Sequence, residues 1–560
     1  MKSVSARFNR ALSCVPFLGF AMNHLPVLKL RRNQGVTLAQ KSLLARATGR
    51  FYTPEVIGHF LAEKVLPLVR QLPEQTVSVI DPFSGDGRLV WWLIQQAEEL
   101  GIRRKWEVAL WDTDDAAIAH ASSIVAALSS ALRRRISLKT CVGDAFILAQ
   151  DSPQFDIVIT NPPWDALKPD RRELEHLSIA DQERYIAGLK ALDQRLAIDY
   201  PHSQPKRKFA GWGTNLSRVG AELAEGLTRP GGILGLVLPA STFADQMSIS
   251  LRRWLLGRLC ITDVGYFSAE SRLFENVDQS SMIAVAQKHE VASHSFELHT
   301  FHHERGTYQS QQLSLAGEVW AEREFCIPFT MSGAASDFLD ALDGLPSWAD
   351  AEGGAHGLWC GRELDETRIA SKFSENGQYR FLKGRMVGRF QLIEPAVNRI
   401  DSQTTRIPRS ADMRRIAWRD VSRPTQQRRM HATLVEPGYV TGNSLNVALF
   451  ESQSDVSTFA MLGIVNSLVF ETQIRARSTT SHISLGLVRG VKIPDLRKLA
   501  IVRRLSELTK KCVSDPGKYE AALEVAVAKA YGLKKAQFAS VLDSFPGLNS
   551  TASSVLLNNY

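Results

Sequence analysis

The chain has 560 residues, with 67 Lys and Arg against 58 Asp and Glu, a formal net charge of +9. That length accommodates two or three domains, and a 44% hydrophobic, 22% charged composition excludes disordered and fibrous classes. A basic excess suits a polyanionic partner such as nucleic acid, although many basic proteins bind none.

Taken in chain order, residues 1–48 read as an accessory segment. Arg7 and Arg10 precede a short apolar stretch at 12–22 that superficially resembles a secretion signal. Pro16 interrupts it, no small-residue cleavage site follows, and Lys29, Arg31 and Arg32 come soon after. Met22 is an alternative translation start. No apolar run approaches the ~20 residues that span a bilayer. The six cysteines lie far apart with no CxxC pair and no clustered His. That argues against a zinc site or disulfide framework and predicts a reducing, cytoplasmic setting with no metal and no membrane.

Residues 53–287 alternate β-branched runs with amphipathic stretches, the pattern of a parallel α/β sheet. Strands are predicted at 77–80, 107–111, 136–141, 156–160 and 233–238, with helices at 89–100 and 115–132. Further strands at 261–267 and 281–287 close a seven-stranded, mostly parallel sheet, and 296–320 gives a mixed signal. The Gly-, Ala-, Ser- and Asp-rich stretch at 332–354 reads as a boundary. Beyond Gly357 the chain is Arg-rich and β-leaning, without helical rhythm until about Leu496. A helical stretch then runs over 504–531 and ends at Gly532.

The chemistry concentrates at the predicted strand ends. The run Asp81-Pro-Phe-Ser-Gly85-Asp86-Gly87 breaks a buried strand into a glycine loop and a helix, where open sheets bind cofactors. Alone, such a turn is equally a tight connection. The next strand ends in Asp112, placed to chelate the hydroxyls of a ribose, although a solvated strand-end Asp is the commoner case. The third is followed by Asp144-Ala-Phe146, a carboxylate to accept from an adenine amino group and an aromatic to cover the ring. The fourth terminates in Asn161-Pro162-Pro163-Trp164. Two prolines cannot continue a sheet, so the strand end is locked into a fixed turn.

That turn suits one problem. The amino nitrogen of a purine is a poor nucleophile because its lone pair is delocalised into the ring. Acceptors at both N–H bonds, the Asn161 side-chain oxygen and the Pro162 carbonyl, draw the nitrogen toward tetrahedral geometry for direct methyl transfer. Trp164 then stacks on a base flipped out of the duplex, worth ~1–3 kcal/mol by analogy with other base–aromatic contacts.

In these residues the chain resembles the gamma-class N6-adenine DNA methyltransferases of bacterial restriction–modification and related phage-defence systems. The resemblance implies a Rossmann-like class I methyltransferase domain that uses S-adenosylmethionine (SAM). Motif X is matched by Phe51, Tyr52, Thr53 and Pro54, motif I by Asp81, Gly85 and Gly87, and motif II by Asp112. Asp144 and Phe146 match motif III. Motif IV is Asn161 to Trp164, with Trp where the family more often has Tyr or Phe. The run from Arg229 to Pro239 resembles motif VI. Arg272-Leu-Phe274 resembles motif VIII, which makes Phe274 a second base-stacking aromatic, with a plain core residue as the alternative.

The resemblance implies catalytic residues at 49–330, a linker at 331–356, a β-rich target-recognition domain at 357–500 and a helical tail at 501–560. Arg385, Arg389, Arg414, Arg415, Arg419, Arg423, Arg428 and Arg429 are expected to form a basic surface for DNA phosphates, some reading guanines. Lys206-Arg207-Lys208, in the insertion after Trp164, is either a loop over the DNA or plain surface. The expected partners are double-stranded DNA, clamped between two domains, and a separately encoded restriction endonuclease. The residues before the Phe51 run are too few and too poor in acids for a nuclease of their own. Protein and RNA methyltransferases share the motif-IV pattern but usually lack a long Arg-rich half, and a non-catalytic binding subunit would not need an intact motif IV.

Overall fold

In the computed structural model the residues described are 52–560, apart from short stretches at 170–173, 175–177, 207, 209–210, 275–276, 278, 290–294, 315–320, 322, 330–334, 354–355, 425, 479 and 546–547. The accessory segment 1–48, Phe51 and Arg207 lie outside them. The chain divides into two units, 1–326 and 327–560.

The first unit is built on a sheet of nine strands in the order β3-β2-β1-β4-β5-β7-β6-β8-β9. These are β1 Thr76–Asp81, β2 Lys105–Asp112, β3 Ile136–Val142, β4 Phe155–Thr160, β5 Thr228–Pro239, β6 Leu259–Phe267, β7 Ser281–Lys288, β8 Ser295–His302 and β9 Thr307–Ser314. Strands β1 to β5 pair in parallel, and β7 runs antiparallel between β5 and β6. All seven predicted strands form. The last two extend the sheet beyond the seven expected. β9 is Thr-Tyr-Gln-Ser-Gln-Gln-Leu-Ser with an exposed face, so it carries little apolar alternation for a sequence pattern to register.

Helices α1 Glu55–Gln71, α2 Arg88–Glu99 and α3 Asp115–Ala127 share one core with Val77, Val79, Ile157, Ile159, Ile233 and Val237. The alternate strand positions Ile80, Val158, Leu234 and Leu236 are buried as well. Side chains alternate between sheet faces, so both faces are covered, which is why these strands read as continuous apolar runs. The insertion after β4 carries α4 Ile179–Asp199 and returns through α5 Leu216–Leu227.

The second unit holds a four-stranded sheet, a three-stranded sheet and C-terminal helices. The stretch expected as a linker is part of it: helices form at Ala335–Ala341 and Trp348–Ala351, and Phe338 and Trp348 are fully buried in its core. Leu342 and Ala351 are buried there too, so apolar anchors are spaced through a segment whose composition reads as loop. Helices α6 Asp455–Val465 and α7 Leu468–Arg477 likewise correct the expectation of no helix before 496. Both are buried on nearly every side, so no polar stripe marks their period. Helices Leu499–Ser514 and Pro516–Ala530 follow, close to the predicted helical stretch. Among the described residues, no helix is long and apolar enough to cross a membrane.

Candidate active site

The parallel order β3-β2-β1-β4 sets Asp144, Asp112, Asp81 and Asn161 side by side along the carboxyl edge of the sheet. Loop-to-strand hydrogen bonds hold that edge. Ser84 N donates to Trp111 O at 2.9 Å, and Gly143 N donates to Asp112 O at 2.8 Å.

The glycine loop owes its path to Gly85 and Gly87, at φ +51° and +76°. At Gly87 a Cβ would lie 2.9 Å from the Trp91 indole nitrogen and 3.1 Å from Leu110, so both backbone sign and space demand glycine. Asp112 accepts from Gly85 N at 2.8 Å and from Asp114 N at 2.9 Å. Its carboxylate thus shapes the loop beside which a ligand would sit.

Asp81 is 1% exposed, and accepts from the Thr160 hydroxyl at 2.6 Å and from Phe83 N at 3.1 Å. Burial pushes its carboxyl up to about 7, against the pull of those two hydrogen bonds. Asp144 caps a short helix by accepting from Phe146 N at 3.0 Å and pairs with Arg195 of α4 at 3.3 Å. Phe146 is 5% exposed and packs against Phe83 and Tyr200, so most of its ring is spent on the core.

At the end of β4, the Asn161 carboxamide is held at both ends. Its Nδ2 donates to Thr53 Oγ1 at 3.0 Å, and its Oδ1 accepts from Trp164 Nε1 at 3.0 Å. Pro162 is buried against α5, where a Cβ on Gly220 would come within 2.3 Å of it. Asn215, the cap of α5, donates to Trp164 O at 3.3 Å. Phe274 lies beside Trp164, with ring centroids 4.8 Å apart and planes at 54°. An adenine between two stacked rings needs roughly 7 Å, twice the ~3.5 Å contact distance. The two aromatics therefore meet each other here, instead of flanking the gap expected for a base.

Thr53 is buried, while Pro54 opens α1. Tyr52 is half-exposed, with the Arg88 guanidinium 4.7 Å from its ring centroid. Sequence reading missed Arg88, Arg195, Asn215 and Gly220, which act through tertiary contacts. Only Asn215 had a local signal, an Asn just ahead of an apolar helix.

In the second unit the expected basic surface is largely interior. Arg415 and Glu363 are both fully buried and paired, with Arg415 Nη2 3.0 Å from Glu363 Oε2. Arg429 is 1% exposed and donates to Thr480 O at 2.7 Å. Arg428 is bound to Glu471 and Glu524, and Arg389 to Glu520. Arg419 spends its Nε on Val387 O, and Arg414 pairs with Glu436 and Asp455. Apart from Arg414, whose partners are exposed, these side chains satisfy protein carboxylates and carbonyls in the interior, a role that Arg density alone cannot separate from phosphate binding. Arg385 keeps 72% of its side chain exposed, paired to Glu394 at 3.2 Å, and Arg423 is exposed. In the insertion, Lys208 is bound to Asp193 at 2.6 Å.

The described residues also gather Asp263, Glu297 and His299 on β6 and β8. His299 Nε2 lies 3.0 Å from Asp263 and 3.5 Å from Glu297, and its Nδ1 is 2.7 Å from Ser310 Oγ. His299 is thus a buried histidine hydrogen-bonded at both ring nitrogens.

No protein-family model matches the chain, and no curated protein does. Solved structures do. The type IIL restriction-modification enzyme MmeI, in complex with DNA, matches with a TM-score of 0.50 and 12% identity over 91% of this chain and 78% of its own. DrdV in a DNA complex matches with a TM-score of 0.50 and 11% identity over 84% of this chain and 58% of its own. The methyltransferase subunit of a type I restriction-modification system from Streptococcus thermophilus matches with a TM-score of 0.31 and 16% identity, over 47% of this chain and 50% of its own. What is shared is the fold. It is a mostly parallel α/β sheet with helices, followed by a β-rich region and C-terminal helices. The chain spans about half to three quarters of the length of these structures.

Proposed function

We propose that this chain is a site-specific DNA methyltransferase of the restriction–modification type, which methylates N6 of an adenine flipped out of duplex DNA. The observation that carries the reading is Asn161. Its carboxamide ends β4 in a proline-locked turn, oriented at both ends, on the same sheet edge as Asp81 and Asp112.

The residues fit SAM. Gly85 and Gly87 bring bare backbone beside two strand-end carboxylates, a donor set suited to a cationic ligand bearing a ribose. Asp112 would hold the ribose hydroxyls, and Tyr52, Pro54 and Asp81 the methionine end. Asp144 and Phe146 would border the adenine. When bound, SAM supplies the methyl group.

The remaining work falls to the chain's own side chains. Asn161 Oδ1 and the Pro162 carbonyl accept the two N6–H bonds of the target adenine and localise the nitrogen lone pair. Trp164 offers a stacking face that offsets part of the cost of unstacking the base. Arg385 and Arg423, exposed among the arginines expected to meet DNA, would be available to phosphates. A separately encoded restriction endonuclease is the matching partner.

The test is long-read sequencing of genomic DNA from a methylation-free bacterial host expressing the chain, beside an Asn161→Ala control. N6-methyladenine at one short motif, absent in the control, supports the reading. Soluble, SAM-binding protein that leaves host DNA unmodified would turn it toward an RNA substrate or a missing subunit. Methylation that persists in the control removes Asn161 from its role.

A further inference from the structure

The Asn161 carboxamide has two chemically opposite ends, and only one orientation presents an acceptor to a target amine. Trp164 decides that orientation in the structure, because an indole N–H can only donate and so demands the oxygen. The opposite end, Nδ2, then points to Thr53 Oγ1 at 3.0 Å. Thr53 is 4% exposed, so water does not readily replace its hydroxyl as partner.

Thr53 is in turn fixed from the glycine-loop side. Its carbonyl accepts from Arg88 Nη1 at 3.3 Å. Arg88 opens α2 and is gripped by Asp86, with Nε 2.9 Å from Oδ1 and Nη2 2.5 Å from Oδ2. A continuous series of contacts thus runs from the glycine loop through Arg88 and Thr53 to the amide at the end of β4.

We propose that Thr53 is a positioning residue for Asn161: its hydroxyl anchors Nδ2, so that Oδ1 stays aimed at the target nitrogen when Trp164 turns away to stack on the base. The inference rests on Asn161 being the acceptor for the target amine. An adenine N6–H, like the indole N–H, is only a donor there. Exchange of one donor for the other therefore requires no rotation of an amide whose far end is held. Without the hydroxyl, Nδ2 is left facing an apolar side chain, and the amide gains by rotating away from the productive orientation.

The test compares Thr53→Val, Thr53→Ser and Asn161→Ala in the full-length protein. The readouts are methyl transfer from labelled SAM to unmethylated bacterial genomic DNA at saturating DNA, and SAM binding by calorimetry. Thr53→Val is expected to lower kcat by roughly 5- to 100-fold, the range for one unsatisfied buried donor. Its SAM affinity should stay within about threefold of the parent, and Thr53→Ser should recover most of the rate. Full rate in Thr53→Val, with Asn161→Ala inactive, overturns the positioning role alone. A loss carried wholly by SAM affinity overturns it too, making Thr53 a cofactor contact. Activity retained in Asn161→Ala overturns the reading on which the inference rests.

Discussion

The indole Nε1–H of Trp164 donates to Oδ1 of Asn161 at 3.0 Å, and the indole ring meets Phe274 at 4.8 Å between centroids. The acceptor assigned to the target amine is thus already engaged by a residue assigned to stack on the target base. Both roles are open to a base only after Trp164 turns. Trp164→Phe keeps a stacking face and removes the competing donor, so its rate of methyl transfer should stay within about threefold of the parent. Trp164→Ala should weaken DNA use by roughly 5- to 150-fold, the equivalent of ~1–3 kcal/mol of base stacking. Equal losses in the two variants, by steady-state methyl transfer, would remove stacking as the role of this side chain.

Asp112, assigned above to the ribose of SAM, also shapes the loop, because it accepts Gly85 N–H at 2.8 Å and Asp114 N–H at 2.9 Å. Asp112→Ala should weaken SAM binding by at least about tenfold, since charge-assisted hydrogen bonds are worth ~1.5–3 kcal/mol each. Asp112→Asn, which keeps an acceptor, should fall between. Calorimetric titration with SAM checks this, and parent-like affinity in the alanine variant would contradict the assignment.

Asp81 carries a pH dependence whose sign follows from its burial. Its carboxyl is raised from an ordinary 3.8 to about 7. The folded protein therefore binds this proton more tightly than the unfolded chain does. The associated stability is fully present below about pH 4 and is lost as pH rises through about 7. Asp81→Asn keeps an oxygen for Thr160 and Phe83 while removing the ionisation. Its stabilising effect should be larger at about pH 8 than at about pH 5, with an upper bound of ~4 kcal/mol. Thermal denaturation at the two pH values measures it, and an equal shift at both would show that Asp81 titrates normally.

The pair Arg415–Glu363 is fully buried, and Glu363 also accepts from Thr441 N at 2.6 Å and Ser410 Oγ at 2.6 Å. Glu363→Ala leaves a guanidinium buried without its counter-charge, and should cost about 3–5 kcal/mol of stability. Adding Arg415→Met should restore part of that loss, because the stranded charge goes with it. A denaturation cycle of the two single variants and the double tests the coupling. Strict additivity would show that the two charges act independently.

Much of the site was legible in the sequence because its parts are local. A buried apolar run followed by Gly85 and Gly87, or by Asn161 and two prolines, specifies a strand and the turn that ends it through backbone sterics alone. The inner strands β1, β4, β5 and β7 could be read for a similar reason, since strands covered on both faces need long apolar runs. Tertiary structure decided what depends on a partner distant in the chain. Arg385 and Arg415 belong to the same Arg-rich stretch, yet Arg415 is buried on Glu363 while Arg385 stays exposed. Charge density cannot distinguish the two, because burial depends on where the counter-charge folds. The same holds for Asn161. The sequence marked it as an acceptor, but which way its amide points was set by Thr53, 108 positions away, and by a donor-only indole three residues on.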